Sequence, residues 1–169
     1  QSLVQSALTE PAPAADEAAL AELAKSLDRS ARRRLGRSLS IREVDAGSCN
    51  GCELEIHALA NAYYDLERFG LRFVASPRHA DVLLVTGPVS RHMVTALKRT
   101  FDATPKPKLV VATGDCACNG GIFCSNDGSP DGVGESYASC GKVSNVIPVD
   151  VVVSGCPPTP TAILQGILT

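Results

Sequence analysis

The sequence predicts an α/β fold built on an open, mainly parallel β-sheet with helices on both faces. Three near-continuous apolar runs, DVLLVT at residues 81–86, KLVVAT at 108–113 and DVVVS at 150–154, have the composition of parallel strands buried on both faces. Stretches with helical periodicity separate these runs, and such alternation indicates right-handed crossovers between parallel strands. At 169 residues, with 44% hydrophobic side chains, the chain is long enough for one domain with its own core.

Residues 1–39 lack the alternation of strand and helix patterns that begins at residue 40, and they are predicted to form an N-terminal arm. Four apolar residues recur there at helical spacing and predict an amphipathic helix: Leu20, Leu23, Ala24 and Leu27. Two interpretations of this helix stay open, a contact with a partner subunit and a solvated extension. Residues 40–169 form the domain that contains the sheet.

The elements of that domain follow from the changes in hydrophobic period. In chain order we predict strands at 41–44, 71–75, 81–86, 108–113 and 150–154, and helices at 52–69, 89–102 and 160–168. Pro160 suits the first turn of the last helix. Residues 120–148 are rich in Gly, Ser, Asn and Asp without a clear period, so we expect an irregular connection there, of a length that is usually functional.

Composition excludes several classes of function. A formal charge of -2 creates no field toward nucleic acid or an anionic membrane, and 4% aromatic residues without tryptophan offer little for stacking bases. No window approaches the ~18 apolar residues of a spanning helix, so no direct membrane span is expected. Seven cysteines, an odd number without a secretory signal stretch, favour a reducing compartment such as the cytoplasm, with metal binding or catalysis.

Thiols follow three of the predicted strands at the point where each strand ends. Cys49 and Cys52 follow the first strand, Cys116 follows KLVVATGD, and Cys156 follows DVVVSG. Ligands of an open parallel sheet bind outside the carboxyl ends of the strands, where loops converge. We therefore expect these sulfurs to meet around one centre.

Three kinds of site use a C-x-x-C turn such as GSCNGC at residues 47–52: a redox disulfide, a zinc site and an iron-sulfur site. A disulfide would use only two of the thiols. Zinc accepts four thiolates, but structural zinc usually stabilises small domains that lack a core. Proline directly after the last thiol, in GCPP at 155–158, also occurs at cysteines that bind iron-sulfur clusters. The residues favour a 4Fe-4S cluster, with zinc and a catalytic disulfide as alternatives.

Four stretches carry a resemblance to a known family: GSCNGCELEI, SPRHADVLLVTGPV, GDCACNGGIF and NVIPVDVVVSGCPPTPTAILQGIL. In order and with matching intervals, they resemble the small subunit of membrane-bound group 4 nickel-iron hydrogenases of the formate hydrogenlyase type. They also resemble the related 20 kDa subunit of respiratory NADH:quinone oxidoreductase. The resemblance implies a flavodoxin-like fold for residues 40–169. It also implies one 4Fe-4S cluster, beside the active site of a partner, with Cys49, Cys52, Cys116 and Cys156 as ligands.

The resemblance implies partners as well. They are a hydrogenase-type large subunit, a ferredoxin-like iron-sulfur subunit and the membrane subunits of a complex. This chain would then be an electron-transfer subunit of a multi-subunit oxidoreductase, making and breaking no substrate bonds by itself. It would lie peripherally on the cytoplasmic side of the inner (cell) membrane.

The first ligand motif separates two branches of this resemblance. The quinone-reducing enzymes carry adjacent cysteines there, whereas the hydrogenase branch carries C-x-x-C, as CNGC does here. A quinone-reductase module of an NADH dehydrogenase-type complex stays as the alternative, and a zinc-stabilised interaction subunit without a redox role is the alternative of another class. Residues 124–135, CSNDGSPDGVGE, form an insertion relative to the family pattern.

Glu55 lies three residues after Cys52 and matches a carboxylate common to both branches. Two roles are predicted for it, proton coupling beside the cluster or an interface ion pair with a partner's arginine. Glu53 is predicted to be a first-turn helix acid that complements the helix dipole. His57 and His79 are predicted to be structural, because no second ligand accompanies either at metal-ligand spacing.

Three cysteines remain outside the predicted ligand set: Cys118, Cys124 and Cys140. A second cluster would want four thiolates, and free buried cysteine behaves as a small hydrophobe. We therefore predict three free thiols.

Overall fold

A computed structural model of the chain describes residues 17–36, 38–123 and 137–168. These residues contain five strands: Ser40–Asp45 (β1), Arg72–Phe73 (β2), Val82–Thr86 (β3), Leu109–Thr113 (β4) and Val151–Val153 (β5). All neighbouring strands pair in parallel, in the order β2-β1-β3-β4-β5. This is the strand order of flavodoxin-like folds, and the predicted fold class is confirmed.

Helices cover both faces of the sheet. They are Glu17–Leu35 (α1), Gly51–Ala58 (α2), Val94–Ala103 (α3), Asp115–Asn119 (α4) and Pro160–Leu168 (α5), with short 3-10 turns at Leu66–Phe69, Pro77–His79, Gly121–Phe123 and Val143–Asn145. None of the helices in the described part of the chain is both long and apolar enough to cross a membrane.

Strand β3 shows why the apolar runs form central strands. Every one of its residues is buried, and successive side chains enter opposite cores. Val82 and Leu84 pack with α2 and α5 on one face, whereas Leu83 and Val85 pack with α3 and α4 on the other. Because both faces are covered, the sequence is continuously apolar there rather than alternating.

The predicted helix at 52–69 is wrong in its length, because α2 ends at Ala58. Asn61 ends the helical path: its side-chain oxygen accepts hydrogen bonds from the backbone N–H groups of Tyr63 and Tyr64, at 2.9 and 3.0 Å. Asp65 then adopts a left-handed conformation, with φ 44°. Asparagine favours such turns because its side chain replaces a backbone partner. Leu66 still reaches the core, but from a 3-10 turn.

The predicted helix at 89–102 begins later than expected, at Val94. Val89 exchanges backbone hydrogen bonds with the returning segment instead, donating to Gly141 O and accepting from Cys140 N at 2.8 and 2.7 Å. The strand predicted at 71–75 is shorter than expected, since β2 holds two residues. In the region predicted to be irregular, the 3-10 turn at Gly121–Phe123 is present, and residues 124–136 lie outside the described part.

The helix predicted in the N-terminal arm is present as α1. Leu23 packs against the core that contains α2 and α5. The side chains of Leu20, Ala24 and Leu27 lie outside the described residues. The division into an arm at 1–39 and a domain at 40–169 stays a prediction.

Candidate metal centre

The loop after β1 is shaped by one carboxylate. Asp45 Oδ1 accepts hydrogen bonds from the backbone N–H groups of Gly47 and Ser48, both at 2.7 Å. Ser48 Oγ in turn accepts a hydrogen bond from Asn50 N at 3.1 Å. These short-range bonds give the loop a defined turn instead of regular structure, and they lead to the exposed Cys49.

The same loop crosses the end of β3. At Gly87, directly after β3, an added Cβ would overlap the backbone of Ser48, and the positive φ of 72° suits glycine. The sheet order places β3 between β1 and β4. Because Gly87 has no side chain, the loop can pass directly over the end of β3, toward the ends of β4 and β5.

Cys52 lies in the first turn of α2 and its sulfur packs on the backbone at the end of β4. An added Cβ on Gly114 would lie only 2.5 Å from Cys52 Sγ. Gly114 has φ 88° and ψ 153°, a conformation that side chains rarely adopt. The glycine after β4 therefore makes the space that the Cys52 sulfur occupies.

Cys116 lies in α4, and Gly121 packs against it: a Cβ added at position 121 would lie 2.7 Å from Cys116 Sγ. The preceding residue, Asp115, joins the ends of β4 and β5. Its backbone N–H donates to Gly155 O at 2.9 Å, and its Oδ1 accepts from Gly155 N at 2.8 Å. Cys156 follows directly, so the loops after β4 and β5 are held side by side.

The thiols predicted as ligands converge at this pole of the sheet. Cys49, Cys116 and Cys156 line one open pocket of about 520 Å³. Burial raises the pKa of Cys52 to about 12, with further increases from the charges of Glu53, Cys49, Cys116 and Cys156. The pKa of Cys116 is also raised, first by burial and then by Cys156 and Cys49. The charges of Cys49, Cys116 and Cys156 thus act on Cys52.

Their arrangement is open rather than closed around a single ion. Among residues 17–36, 38–123 and 137–168, no three or more His, Cys, Asp or Glu side chains lie in an arrangement that could hold a metal ion. The donor set nevertheless fits an iron-sulfur cluster in its chemistry, since clusters are held by thiolates. The assignment of these four cysteines as ligands stays a prediction.

Two of the remaining cysteines lie away from this pocket. Cys118 Sγ is within 3.5 Å of both Ala112 O and Val153 O, and burial is the main cause that raises its pKa. Cys140 is partly buried against the core beside α3. Both fit free thiols that fill space. Cys124 and the predicted insertion at 124–135 lie outside the described residues.

The other predicted site residues all lie outside the pocket lining. Glu55 is half-buried on α2, one helical turn after Cys52, and its carboxylate forms no hydrogen bond or ion pair with the described residues. His57 is exposed on the same helix, and His79 ends an exposed 3-10 turn. No described contact assigns a metal to either histidine.

Glu53 is the residue whose environment the sequence did not reveal. It lies in the first turn of α2, as predicted, but it is only 7% exposed. Both of its carboxylate oxygens are buried without a hydrogen-bond partner among the described residues. Its charge also helps to raise the pKa of Glu43, after burial as the main cause. Glu43 alternates with Val44 along β1 and so lies on the same face as Ile41, which α2 covers. This period-2 pattern is the one sequence feature that could have predicted an acidic residue of β1 under α2, close to Glu53.

Comparison with known proteins decides the family. Residues 49–169 match the family described as NADH ubiquinone oxidoreductase, 20 Kd subunit. The chain belongs to this family. It is 46% identical over 134 residues to a probable membrane-bound hydrogenase subunit of Pyrococcus furiosus, covering 79% of this chain and 74% of that protein. It is 40% identical over 156 residues to formate hydrogenlyase subunit 7 of Escherichia coli, covering 92% of this chain and 56% of that subunit.

Chains of other oxidoreductases are also similar to this chain. An NADH-quinone oxidoreductase subunit of Desulfovibrio desulfuricans is 43% identical over 134 residues, which is 79% of this chain and 66% of that protein. Among solved structures, a chain of the archaeal membrane-bound sulfane sulfur reductase is 34% identical, with a TM-score of 0.63 over 85% of this chain and 71% of that chain. A chain of an NAD⁺-reducing [NiFe]-hydrogenase, 20% identical, shares the fold with a TM-score of 0.56 over 78% of this chain and 92% of its own. The relatives are thus subunits of multi-subunit oxidoreductases.

Proposed function

We propose that this chain is an electron-transfer subunit that holds one 4Fe-4S cluster on Cys49, Cys52, Cys116 and Cys156. One observation carries the proposal: the loops after β1, β4 and β5 bring thiols from three distant parts of the sequence to one pole of the sheet. Soft thiolates are the ligands that such clusters take. When bound, the cluster supplies one-electron chemistry.

The surrounding residues of this chain position the sulfurs. Asp45 fixes the turn before Cys49 through two backbone hydrogen bonds. Gly114 and Gly121 leave room for the sulfurs of Cys52 and Cys116. Loops with fixed backbone hydrogen bonds hold their side chains in place, and such preorganisation is what a ligand set needs.

Apolar side chains beside the pocket support docking of this pole on a partner. Ile122 and Phe123 line the pocket and are 86% and 56% exposed, and Leu54 on α2 is 62% exposed. Exposed apolar residues at one site usually mark an interaction surface. We propose that this surface meets a hydrogenase-type large subunit and that the cluster passes electrons between that subunit and a ferredoxin-like iron-sulfur subunit.

The proposed complex also contains membrane subunits, with this chain peripheral on their cytoplasmic side. The names of its relatives support a membrane complex, since one is a membrane-bound hydrogenase subunit and another belongs to a membrane-bound sulfane sulfur reductase. Six described cysteines are free thiols, as in proteins of a reducing compartment.

For the reaction of the whole complex we propose hydrogenase-type chemistry. The identities to the hydrogenase and quinone branches, 46% and 43%, are close, so the C-x-x-C spacing of Cys49 and Cys52 carries this choice. A quinone-reductase module is the second candidate, because the NADH-quinone oxidoreductase relative from Desulfovibrio desulfuricans is nearly as similar. The sequence of the large partner subunit tests the choice: cysteines that bind nickel favour the hydrogenase, and their absence contradicts it.

Glu55 is proposed to couple protons to electron transfer beside the cluster. Its position one turn after Cys52 on α2 places it near the same pole, and its half-buried carboxylate is not used by the described residues. An ion pair with an arginine of the partner is the competing role. The Glu55→Gln variant described in the Discussion separates the two.

Metal analysis of the purified complex tests the cluster itself. The proposal predicts roughly four irons with acid-labile sulfide for this chain's site, over and above those of the partner subunits. Zinc without sulfide in the chain separated from its partners would overturn the proposal and assign the zinc-stabilised interaction subunit.

A further inference from the structure

Asp115 connects two of the three loops that carry the thiols. Its backbone N–H donates to Gly155 O at 2.9 Å, and its carboxylate Oδ1 accepts from Gly155 N at 2.8 Å. Cys116 and Cys156 are the next residues after Asp115 and Gly155. The two hydrogen bonds between Asp115 and Gly155 therefore fix the distance between the backbones of Cys116 and Cys156.

Asp115 also lies beside the thiols. Asp115 lines the pocket together with Cys49, Cys116 and Cys156. A negative charge thus lies among sulfurs that are themselves negative when they bind a metal.

Hydrogen bonding alone does not require that charge. An asparagine carbonyl or a serine hydroxyl accepts the same bond from a backbone N–H, without repelling thiolates. Near a cluster, net charge and hydrogen bonds set the reduction potential, and a negative charge disfavours the incoming electron. The carboxylate therefore has an effect that its hydrogen bond does not explain.

Asp45 provides the internal comparison. Its carboxylate also accepts backbone hydrogen bonds, two of them and both from within the loop of Cys49. Asp45 is exposed and does not line the pocket, whereas Asp115 does. Both carboxylates accept hydrogen bonds from backbone N–H groups, and of the two only Asp115 lines the pocket that contains the sulfurs.

We propose that Asp115 is a positioning residue that sets the separation of Cys116 and Cys156 and, through its charge, lowers the reduction potential of the cluster they hold. This inference rests on the proposed function. Its two parts are separable, because Asn keeps the acceptor and removes the charge, whereas Ala removes both.

Redox titration of the purified complex, followed by electron paramagnetic resonance of this cluster, tests the inference. Asp115→Asn is expected to keep the iron content. At a fixed potential it is expected to raise the ratio of reduced to oxidised cluster at least tenfold, which corresponds to an increase of about 59 mV in the reduction potential of a one-electron couple. Asp115→Ala is expected to lose iron from this site. Asp45→Asn, the matched control, is expected to shift the ratio several-fold less than Asp115→Asn.

Three results would overturn the inference. One is an Asp115→Asn potential equal to that of the unmodified chain, and another is an equal shift in Asp45→Asn. The third is loss of iron in both Asp115→Asn and Asp115→Ser, which keep an acceptor for Gly155 N. Absence of iron and sulfide from the unmodified chain would instead reject the proposed function, so the two failures are distinguishable.

Discussion

Replacing Gly114 by alanine is expected to remove the cluster and to destabilise the chain. Gly114 has φ 88° and ψ 153°, a region open essentially to glycine, and another residue there costs on the order of 1–3 kcal/mol. The new Cβ would lie 2.5 Å from Cys52 Sγ, whereas ordinary contacts begin near 3.4 Å. The sulfur or the end of β4 must therefore move by about 0.9 Å, the difference between these two distances.

That displacement is large for a metal ligand, because ligand distances in metal sites hold within about 0.2 Å. We expect Gly114→Ala to lose most of the iron and acid-labile sulfide of this site in the purified complex. In denaturant titrations the free energy of unfolding should fall by about 1–3 kcal/mol, the cost of the backbone strain.

Gly51→Ala is the matched control, because Gly51 also lies beside a thiol. A Cβ there would meet Cys49 Sγ at 3.5 Å, an ordinary contact, and Gly51 begins α2. Alanine should keep the iron and leave the stability unchanged or higher by up to about 1 kcal/mol, since it favours helix over glycine. Full iron content in Gly114→Ala, with stability within about 0.5 kcal/mol of the unmodified chain, would refute this account of the Cys52 position.

Three further predictions concern the exposed apolar surface, the proposed proton coupling by Glu55 and the raised pKa of Glu43. Without its partners the chain is expected to aggregate in size-exclusion chromatography, because Leu54, Ile122 and Phe123 are exposed. A stable monomer with full iron at high concentration would argue against a docking surface. Glu55→Gln is expected to keep the subunit in the complex and to slow turnover per cluster, because an amide carries no proton. Loss of the subunit would assign an interface ion pair, and normal values for both measurements would reject both roles. Burial and the nearby charge of Glu53 raise the pKa of Glu43. Ionised Glu43 therefore destabilises the fold at any pH above the pKa that Glu43 has in the unfolded chain. This destabilisation disappears as the pH falls and Glu43 is protonated in both states. Glu43→Gln should therefore raise the free energy of unfolding at about pH 7 and change it little below about pH 4 in denaturant titrations; a decrease at the higher pH would contradict the sign.

The central strands could be predicted because burial on both faces leaves a direct trace in the sequence. The runs that became β3 and β4 are continuously apolar, and each side chain enters one of the two cores. A second rule predicted which thiols share a pole of the sheet, because residues that follow parallel strands lie at its carboxyl end. Cys49, Cys116 and Cys156 do line one pocket there, and their role as ligands stays a prediction. That prediction needed only the position of each thiol after a predicted strand.

The remaining features depend on contacts that residue type does not encode. The apolar spacing of residues 52–69 suits a helix, yet two backbone bonds to the Asn61 side chain end it early. A glutamate such as Glu53 is expected to be exposed on the basis of its residue type, and Glu53 is nevertheless buried. Asp115 precedes Cys116 in the sequence, but its bond to Gly155 joins residues forty positions apart. Such long-range partners appear only once the sheet is assembled.

Two cysteines on one short helix give the most direct test of the ligand assignment. Cys116 and Cys118 both lie in α4, but Cys116 lines the pocket and Cys118 packs near Ala112 O and Val153 O. Electron paramagnetic resonance of the reduced complex should show no normal signal from this cluster in Cys116→Ser, because hydroxyl poorly replaces a soft thiolate. The signal should be retained in Cys118→Ser. A normal cluster signal in Cys116→Ser would contradict the claim that these loops hold a 4Fe-4S cluster through Cys116.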